Sequence, residues 1–239
     1  MESKDSGLFV VSTPIGNLKD ITFRAIEVLK NSEFILAENP SKSIRLLQHY
    51  EIKTPIRSVP RVVSDTTCKW IVEILRDEKS VSLISDAGTP GISDPGSGLV
   101  RFIRNLGLLI VPVPGPSALS AILSISGFQA TPTIFLGFLS EKKGKKEREL
   151  EKYRDFEGEI VFFESVHRIA HTLELIKSLF PDSGILIGRE LTKLHEEIRL
   201  LPAGKDINPE NIVKKGEFVI LINNHTKKIL KTYSDRPIN

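Results

Sequence analysis

Two loops of the chain combine glycine, proline and acidic residues in a way that suits ligand binding. The first follows an apolar stretch, reads Ser85-Asp86-Ala87-Gly88-Thr89-Pro90 and continues through Ser93-Asp94-Pro95-Gly96. Glycine lets bare backbone approach a bound molecule, and loops at strand ends often carry binding residues. A purely structural interpretation has equal weight: a proline-stiffened connection in which Ser93 or Asp94 caps the next helix.

The second loop, Pro114-Gly115-Pro116-Ser117, precedes a run of small residues that indicates a closely packed helix. Amides at a helix start have no partner inside the helix and are available to a ligand. Small residues at helical spacing are also typical of tight packing without any ligand. We expect the strands before these two loops to be neighbours, so that the loops together outline a cleft.

Several familiar signatures are absent from the chain. Residues 12–16, after the first apolar run, contain one glycine where a dinucleotide-binding loop needs more. Gly137 and Gly144 are too far apart for a phosphate-binding loop, and Lys146 stands where serine or threonine would bind magnesium. Ser117 lacks the following glycine of a nucleophile elbow, so acyl chemistry is not expected.

No metal site is expected. His167 and His171 have the spacing of one helical face, but no third ligand accompanies them. Cys68 is the only cysteine, so it offers no metal-ligand spacing and no intramolecular disulfide. A chain without disulfides suits a reducing compartment.

The bulk composition predicts a globular protein that acts in the cytoplasm. Of 239 residues, 40% are hydrophobic and 26% are charged. The net charge of +3 is too small to indicate nucleic-acid binding by itself. No stretch resembles a signal-peptide core or a membrane span, so we expect no membrane association.

The first half of the chain alternates short apolar runs with amphipathic stretches. Asp20 is placed to cap a helix whose apolar face includes Ile21, Ala25 and Leu29. The alternation predicts an α/β fold with a mostly parallel five-stranded sheet, covered on both faces, and ligands bound at the carboxyl ends of its strands. The predicted strands are 8–12, 34–37, 55–59, 80–84 and 108–113, and helices are predicted at 43–49, 67–76, 98–106 and 117–126.

The second half predicts a mixed sheet, because its last two strands have no long helix between them. Strands are expected at 134–138, 159–164, 184–188, 195–201 and 218–223, with helices at about 145–156 and 167–179. We therefore divide the chain into an α/β domain over 1–127, a second α/β domain over 128–225 and a polar, basic tail over 226–239.

Six blocks of the chain, in order, resemble the tetrapyrrole-methylase superfamily and, within it, the bacterial ribosomal RNA cytidine 2′-O-ribose methyltransferases. The resemblance spans most of the chain, and each block alone would be a weak signal. The blocks are Thr13-Pro14-Ile15-Gly16-Asn17-Leu18-Lys19-Asp20-Ile21-Thr22, the loop from Ser85 to Gly96, Pro112-Val113-Pro114-Gly115-Pro116-Ser117-Ala118, Gly137-Phe138-Leu139, Phe163-Glu164-Ser165 with His167-Arg168, and Arg189-Glu190-Leu191-Thr192-Lys193-Leu194-His195-Glu196-Glu197.

The resemblance implies a homodimeric enzyme that holds S-adenosylmethionine in a cleft between two α/β domains. The implied substrate is a cytidine ribose 2′-hydroxyl in 16S ribosomal RNA or the small ribosomal subunit. Carried over block by block, the residues implied to line the cofactor are Pro14, Asp86, Ala87, Gly88, Thr89, Pro90, Ser93, Asp94, Pro114, Gly115, Ser117, Ala118, Gly137 and Glu164.

One part of the chain departs from the pattern of this family. Typical members read Ala-Glu-Asp-Thr-Arg after the second strand, whereas this chain reads Ala37-Glu38-Asn39-Pro40-Ser41. The polar, often histidine-containing stretch after the third strand is replaced by residues 58–64. Both departures are expected on the substrate side, so they bear on RNA recognition and on catalysis.

Methyl transfer to a hydroxyl needs an in-line geometry and a base near the hydroxyl proton. The candidate bases are Glu38, Glu164, Lys193 and Glu196, although charged residues at strand ends are also often plain ion-pair partners. RNA would require cations for its phosphates, and Arg24, Arg168 and Arg189 lie inside the matched blocks.

Two alternatives remain open at this point. One is an enzyme of the same fold that methylates a tetrapyrrole or another small molecule, against which the block from Arg189 to Glu197 argues. The other is a homologue that binds the cofactor but has weakened catalysis, because the acidic and basic groups expected at Asn39 and Ser41 are absent.

Overall fold

The structure is a computed structural model that describes residues 6–60, 62–129, 131–213 and 215–225. Its internal contacts divide the chain into two compact units, with the boundary between Ser117 and Ala118. The sequence placed this boundary after residue 127. The position differs because the helix that begins at Ala118 contacts the last strand of the second unit, so it belongs with that unit.

The first unit contains five strands and four α-helices in strict alternation. The strands are β1 (Gly7–Val11), β2 (Phe34–Ala37), β3 (Ile56–Ser58), β4 (Ser80–Ile84) and β5 (Ile110–Val113), and the helices are α1 (Phe23–Asn31), α2 (Pro40–His49), α3 (Asp65–Arg76) and α4 (Ser97–Asn105). A short 3₁₀ turn, Leu18–Asp20, precedes α1.

All pairs in the first sheet are parallel, and the strand order is β3-β2-β4-β1-β5. This confirms the predicted parallel five-stranded sheet. In a sheet of parallel strands all carboxyl ends lie on the same edge, where ligands bind in open α/β folds. The loops after β1, β2, β4 and β5 therefore start from one edge of this sheet.

Helices cover both faces of the first sheet, because the apolar side chains of the interior strand β1 point alternately to one face and the other. Phe9 of β1 packs with Leu29 of α1 in one apolar cluster, whereas the adjacent Leu8 packs with Ile71 of α3 and Ile103 of α4 in another. Successive side chains of a strand point to opposite faces, so a continuous apolar run serves two cores. Burying each of these side chains contributes roughly 1.5–3 kcal/mol.

The cap of α1 differs from the sequence expectation. Asp20 lies in the preceding 3₁₀ turn, and Thr22 caps the helix by accepting a 3.1 Å hydrogen bond from the Ala25 amide. The predicted apolar face is present, since Ala25 and Leu29 are fully buried. The helix therefore begins two positions later than an Asp20 cap would require.

The second unit holds a mixed five-stranded sheet. Its helices are α5 (Ala118–Ile125), α6 (Lys143–Glu151) and α7 (Ile169–Leu179), and its strands are β6 (Thr133–Phe138), β7 (Glu159–Ser165), β8 (Gly184–Arg189), β9 (Glu197–Leu201) and β10 (Glu217–Asn223). Two further 3₁₀ turns are Gly204–Asp206 and Pro209–Asn211.

The order of the second sheet is β6-β7-β10-β8-β9, with β6 and β7 parallel and the other pairs antiparallel. This confirms the predicted mixed sheet. Phe162 of β7, Leu173 of α7 and Ile220 of β10 lie together in its main core. The helix predicted at about 145–156 is Lys143–Glu151, and His167 precedes α7 instead of sharing it with His171. The basic tail 226–239 lies outside the described residues.

Candidate active site

Three loops at the carboxyl edge of the first sheet are tied to one another by hydrogen bonds. The Thr13 amide donates to the Gly88 carbonyl at 2.8 Å, and the Gly88 amide donates back to the Thr13 carbonyl at 3.0 Å. The Thr89 hydroxyl donates to the Pro116 carbonyl at 3.2 Å. The loop after β4 is thereby fixed to the loop after β1 and to the loop after β5.

The strands before the two glycine-rich loops are not neighbours, which corrects the sequence expectation. Strand β1 lies between β4 and β5, and its own loop supplies the link. The hydroxyls of Ser12 and Thr89 are 2.9 Å apart, and a Cβ at Gly115 would lie 3.0 Å from the Cβ of Ser12. Strand order depends on tertiary pairing, so adjacency in the sequence did not reveal it.

The loops present main chain to their surroundings. Ala87, Pro114 and Gly115 are exposed, whereas Pro14, Gly88 and Pro90 are buried beneath them. Gly88 has a φ of +79°, a conformation that residues with a side chain rarely adopt. Ser117 and Ala118 follow directly and are half-buried. Most of the predicted cofactor residues of the first unit therefore lie in three loops that are hydrogen-bonded to one another.

Ser93 and Asp94 do not cap α4, so the structural interpretation of these two residues is wrong. The N-cap residue is Gly96, with a φ of +123° and no side-chain hydrogen bond to the helix. Ser93 has a φ of +68°, which is unusual for a residue with a side chain and costs about 1–3 kcal/mol. This turn directs Asp94 toward Ser85 at the end of β4 instead of toward the helix.

Asp94 belongs to a group of three carboxyl residues at the ends of β2 and β4. Burial raises the pKa of Asp94 to about 6, a hydrogen bond with the Ser85 side chain opposes the shift, and the charges of Glu38 and Asp86 add to it. The carboxylate of Asp86 forms an ion pair instead: its Oδ2 accepts a 2.7 Å hydrogen bond from the Lys42 ammonium. The Oδ1 atom of Asp86 is buried and has no hydrogen-bond partner among the described residues.

A cavity of about 1040 Å³ opens within the first unit; Glu38 and Asp86 line it, whereas Asp94 directly precedes the lining residues Pro95 and Gly96. Its wall contains both segments that depart from the family pattern. The lining residues are Glu38, Asn39, Pro40, Ser41, Lys42, Ser58, Val59, Pro60, Val63, Asp86, Pro95, Gly96, Gly98 and Leu99. The two departures noted in the sequence therefore face the same space.

The departure at Asn39, Pro40 and Ser41 has a local structural explanation. Pro40 is the first residue of α2, a position that favours proline because its amide would have no helical partner. The basic residue of this segment is Lys42, one position after Ser41, and its ammonium reaches Asp86. A basic group is therefore present at the wall, although it is displaced along the helix.

Glu164 is the centre of a buried ion-pair cluster in the second unit, an environment that disfavours its predicted roles as a base and as a cofactor contact. Its Oε2 accepts hydrogen bonds from Lys146 Nζ at 2.6 Å and Thr172 Oγ1 at 2.5 Å. Its Oε1 lies 2.8 Å from both the Ser165 amide and Arg168 Nε. The side chain of Glu164 has no exposed surface.

Lys193 lies in a turn held by two carboxylates. Its ammonium donates to Glu190 Oε1 and Glu217 Oε2, both at 2.9 Å. Burial lowers the pKa of Lys193, but the hydrogen bonds and charges of Glu217 and Glu190 outweigh burial, so the net change raises it. A lysine that stays protonated cannot accept a proton, which removes Lys193 from the candidate bases.

Glu196 stabilises the same turn. Its Oε2 accepts a 2.6 Å hydrogen bond from the Thr192 amide, and Thr192 and Glu190 both have positive φ values, of +66° and +51°. The carboxylate thus satisfies a backbone donor in a strained turn. Of the four predicted bases, only Glu38 lies beside the cavity.

The three predicted RNA-binding arginines have different environments. Arg24 is exposed on α1. Arg168 pairs with Glu164 and donates to the Leu139 carbonyl at 3.2 Å, and Arg189 pairs with Glu197 at 2.9 Å. The guanidinium groups of Arg168 and Arg189 therefore serve internal contacts, and Arg24 is the remaining candidate for a phosphate.

Gly137 lies at an irregularity near the end of β6, where the pairing with β7 shifts between Phe135 and Phe138. Its φ of +64° explains why glycine occupies the position. Residues that matter here and that sequence reasoning missed are Lys42 and Thr172, whereas Ser85 was recognised only as part of its loop. Of the two missed residues, only Lys42 could have been recognised from the sequence, because it is the first cationic residue after the altered segment.

The chain belongs to the tetrapyrrole (corrin/porphyrin) methylase family, which it matches over residues 7–205. Within that family it belongs with proteins named ribosomal RNA small subunit methyltransferase I. It is 51% identical to the protein of that name from Leptospira biflexa over 230 residues, covering 95% of each chain. It is 40% identical to that from Coprothermobacter proteolyticus over 218 residues, covering 90% of this chain and 96% of the relative.

Solved structures agree on the fold. The methyltransferase CobJ superposes with a TM-score of 0.66 at 18% identity, covering 92% of this chain and 94% of CobJ. A putative diphthine synthase from Entamoeba histolytica gives the same TM-score at 17% identity, covering 95% of this chain. Every helix in the described part of the chain is too short or too polar to cross a membrane.

Proposed function

We propose that this protein transfers the methyl group of S-adenosylmethionine to the ribose 2′-hydroxyl of a cytidine in 16S ribosomal RNA. The observation that carries this proposal is the hydrogen-bonded group of three loops after β1, β4 and β5. These loops contain three of the six matched family blocks, and Thr13, Gly88 and Thr89 hold them together. The names of relatives at up to 51% identity support the RNA substrate.

The loops suit S-adenosylmethionine chemically. Exposed main chain at Ala87 and Gly115 offers amide and carbonyl groups to the polar parts of the donor. The apolar side chain of Ile15 lies beside Gly88 and suits an adenine ring. When bound, the donor supplies an electrophilic methyl carbon on a positively charged sulfur, and the chain has to position the acceptor oxygen in line with it.

The proposal also includes the assembled form, which the family resemblance implies, and the place of action. The substrate is the small ribosomal subunit or its 16S RNA, so the enzyme acts in the cytoplasm, where that subunit is made. It works as a homodimer. Analytical ultracentrifugation at the concentrations used for activity assays tests the dimer, and a monomer that methylates at full rate would contradict it.

A methylation assay tests the proposed function directly. Small ribosomal subunits from cells lacking this protein are incubated with the full chain and methyl-tritiated S-adenosylmethionine. We expect label in 16S RNA, released after digestion as 2′-O-methylcytidine. Base-methylated products, or label on porphyrinoid substrates and none on RNA, would overturn the proposal. Calorimetry with S-adenosylmethionine separates a chain that binds the donor without catalysis from one that does not bind it.

A further inference from the structure

The cavity beside β2, β3 and β4 has the size and wall of a nucleotide site. Its volume of about 1040 Å³ is at the upper end of the range of small-molecule sites, about 300–1,000 Å³. Val59, Val63 and Leu99 give it an apolar side, which a base or sugar can pack against. Glu38, Lys42 and Asp86 give it a charged side.

Lys42 is the one cation among the described residues of this wall. Its side chain is 68% exposed while its ammonium contacts Asp86, so a second anion can approach the same ammonium. An RNA chain supplies such anions, because every nucleotide carries a phosphate. The cation at the wall thus matches a nucleotide better than it matches a neutral small molecule.

The three carboxyl groups near the cavity are not equivalent. Asp86 is committed to Lys42, and Glu38 is exposed to solvent. Asp94 is half-buried, is hydrogen-bonded to Ser85, and is held by the left-handed Ser93 and by Gly96. Pro95 and Gly96, which follow it directly, are part of the cavity wall. Of the three, Asp94 is therefore the carboxyl group beside this wall that has neither a cation partner among the described residues nor full exposure to solvent.

We propose that this cavity holds the nucleotide that is methylated, with Lys42 binding a phosphate and Asp94 accepting the proton of the ribose 2′-hydroxyl. The inference rests on the proposed function and assigns its acceptor side. It replaces the role of Asp94 as a donor contact and the roles of Glu164, Lys193 and Glu196 as bases. The raised pKa of Asp94, about 6, agrees with it, because a base works best when its pKa lies near the working pH.

The proton and electron balance of the step is simple. The 2′-O–H bond breaks and its proton moves to the Asp94 carboxylate, while the oxygen forms a bond to the methyl carbon. The carbon–sulfur bond breaks with its electron pair left on sulfur, so the sulfonium becomes a neutral thioether. Asp94 then releases the proton to solvent, which is favourable above its pKa of about 6.

Asp94→Asn tests the base, because it keeps the shape of the side chain and removes its ability to accept this proton. The exposed Asp77→Asn is the matched control. In single-turnover reactions with undermethylated small subunits, we expect Asp94→Asn to slow methyl transfer by about 100-fold or more. The wild-type rate should rise with pH and level off above about pH 6. The rate of Asp94→Asn should not show this rise. Calorimetry should give a donor Kd within about threefold of wild type.

Lys42→Ala tests the cavity, with the exposed Lys69→Ala as its control. We expect a KM for small subunits about tenfold higher and a nearly unchanged kcat. The slope of log binding affinity against log salt concentration should fall by about one, the value for one lost phosphate contact. Unchanged subunit affinity in Lys42→Ala overturns the cavity assignment. An unchanged rate and pH profile in Asp94→Asn overturns the base.

These outcomes differ from a failure of the proposed function. If the wild-type protein labels no 16S RNA, the proposed function is wrong and the inference falls with it. If the wild type labels RNA and both variants behave like their controls, only the inference is wrong. A loss of donor binding in Asp94→Asn equal to its loss of rate would instead return Asp94 to the donor site and overturn its role as the base.

Discussion

The Lys146 ammonium donates a 2.6 Å hydrogen bond to Glu164, and both side chains are almost completely buried. Thr172 and Arg168 complete the contacts of the carboxylate. Arg168 also donates to the Leu139 carbonyl, so the cluster links β7 and α7 to the segment that follows β6. The pair therefore fixes local structure at this end of the second sheet.

Lys146→Met should destabilise the protein strongly, because it leaves the Glu164 charge buried without its main partner. Removing one member of a buried pair costs about 3–5 kcal/mol. Urea denaturation measures the change in the free energy of unfolding. The neighbouring Lys145 is largely exposed, with a long 3.8 Å contact to Glu149, and Lys145→Met should change stability by less than about 0.5 kcal/mol. Equal stabilities of the two variants would contradict the role of the pair.

The contrast between Lys145 and Lys146 also marks a limit of sequence reasoning. Both lysines lie in one charged stretch, and nothing local distinguishes the exposed one from the buried one. The difference arises because α6 packs with Lys146 facing Glu164 and Thr172, which are distant in the sequence. The buried ion pair of Glu164 was not foreseen for the same reason: a glutamate at a strand end has the same local pattern whether it is catalytic or paired.

Glu159 should make stability depend on pH. Its side chain is fully buried, both of its carboxyl oxygens lack hydrogen-bond partners among the described residues, and burial raises its pKa to about 8. His225 Nε2 lies 3.8 Å from Oε1, too far for a hydrogen bond. Well below pH 4.5 the carboxyl is protonated in both folded and unfolded chains, so its ionisation does not change the free energy of unfolding there.

As the pH rises from 4.5 toward 8, the unfolded chain ionises Glu159 first, so the free energy of unfolding falls. Glu159→Gln cannot ionise and should lack this fall. We expect it to gain about 2–4 kcal/mol relative to wild type between pH 5 and pH 8.5, measured by urea denaturation at both values. The exposed Glu151→Gln serves as the control. If the free energy of unfolding changes equally with pH in Glu159→Gln and in wild type, the prediction is wrong.

Thr89→Val should weaken donor binding while leaving the fold intact. The variant keeps the shape of the side chain but loses the hydrogen bonds to the Pro116 carbonyl and the Ser12 hydroxyl. We expect the Kd for S-adenosylmethionine to rise about threefold to tenfold, because a net hydrogen bond is worth about 0.5–1.5 kcal/mol. Calorimetry checks this, with the exposed Thr66→Val as control. An unchanged Kd would place the donor away from these loops.

Lys193→Arg should retain activity. Lys193 holds its turn as a cation between Glu190 and Glu217, and arginine keeps that charge. Because the net shift raises the pKa of Lys193, no deprotonated form is available near neutral pH for arginine to eliminate. We expect methyl transfer within about fivefold of wild type and the same pH profile. A loss of about 100-fold with normal stability would return Lys193 to the list of bases.

The fold was largely readable from the sequence, and the site was readable in part. Apolar runs such as residues 80–84 predicted buried strands because both faces of the sheet are covered. The loop residues Gly88 and Gly115 were found because glycine and proline report on backbone conformation directly. The central place of β1, the boundary at Ser117, and the contact between Lys42 and Asp86 depend on packing between distant segments, so no local pattern predicts them.

Arg24→Ala should mainly weaken RNA binding, whereas Arg168→Ala should mainly lower the stability of the protein. Arg24 is exposed on α1, so its loss should weaken binding to small subunits and reduce the salt slope by about one, with little change in stability. Arg168 is held by Glu164, Ser165 and the Leu139 carbonyl, so its loss should mainly destabilise the fold, by about 2–4 kcal/mol. Filter binding across a salt series and urea denaturation separate the two effects. The exposed Arg101→Ala is the control, and a reduced salt slope in Arg168→Ala with unchanged stability would show that its guanidinium contacts phosphate after all.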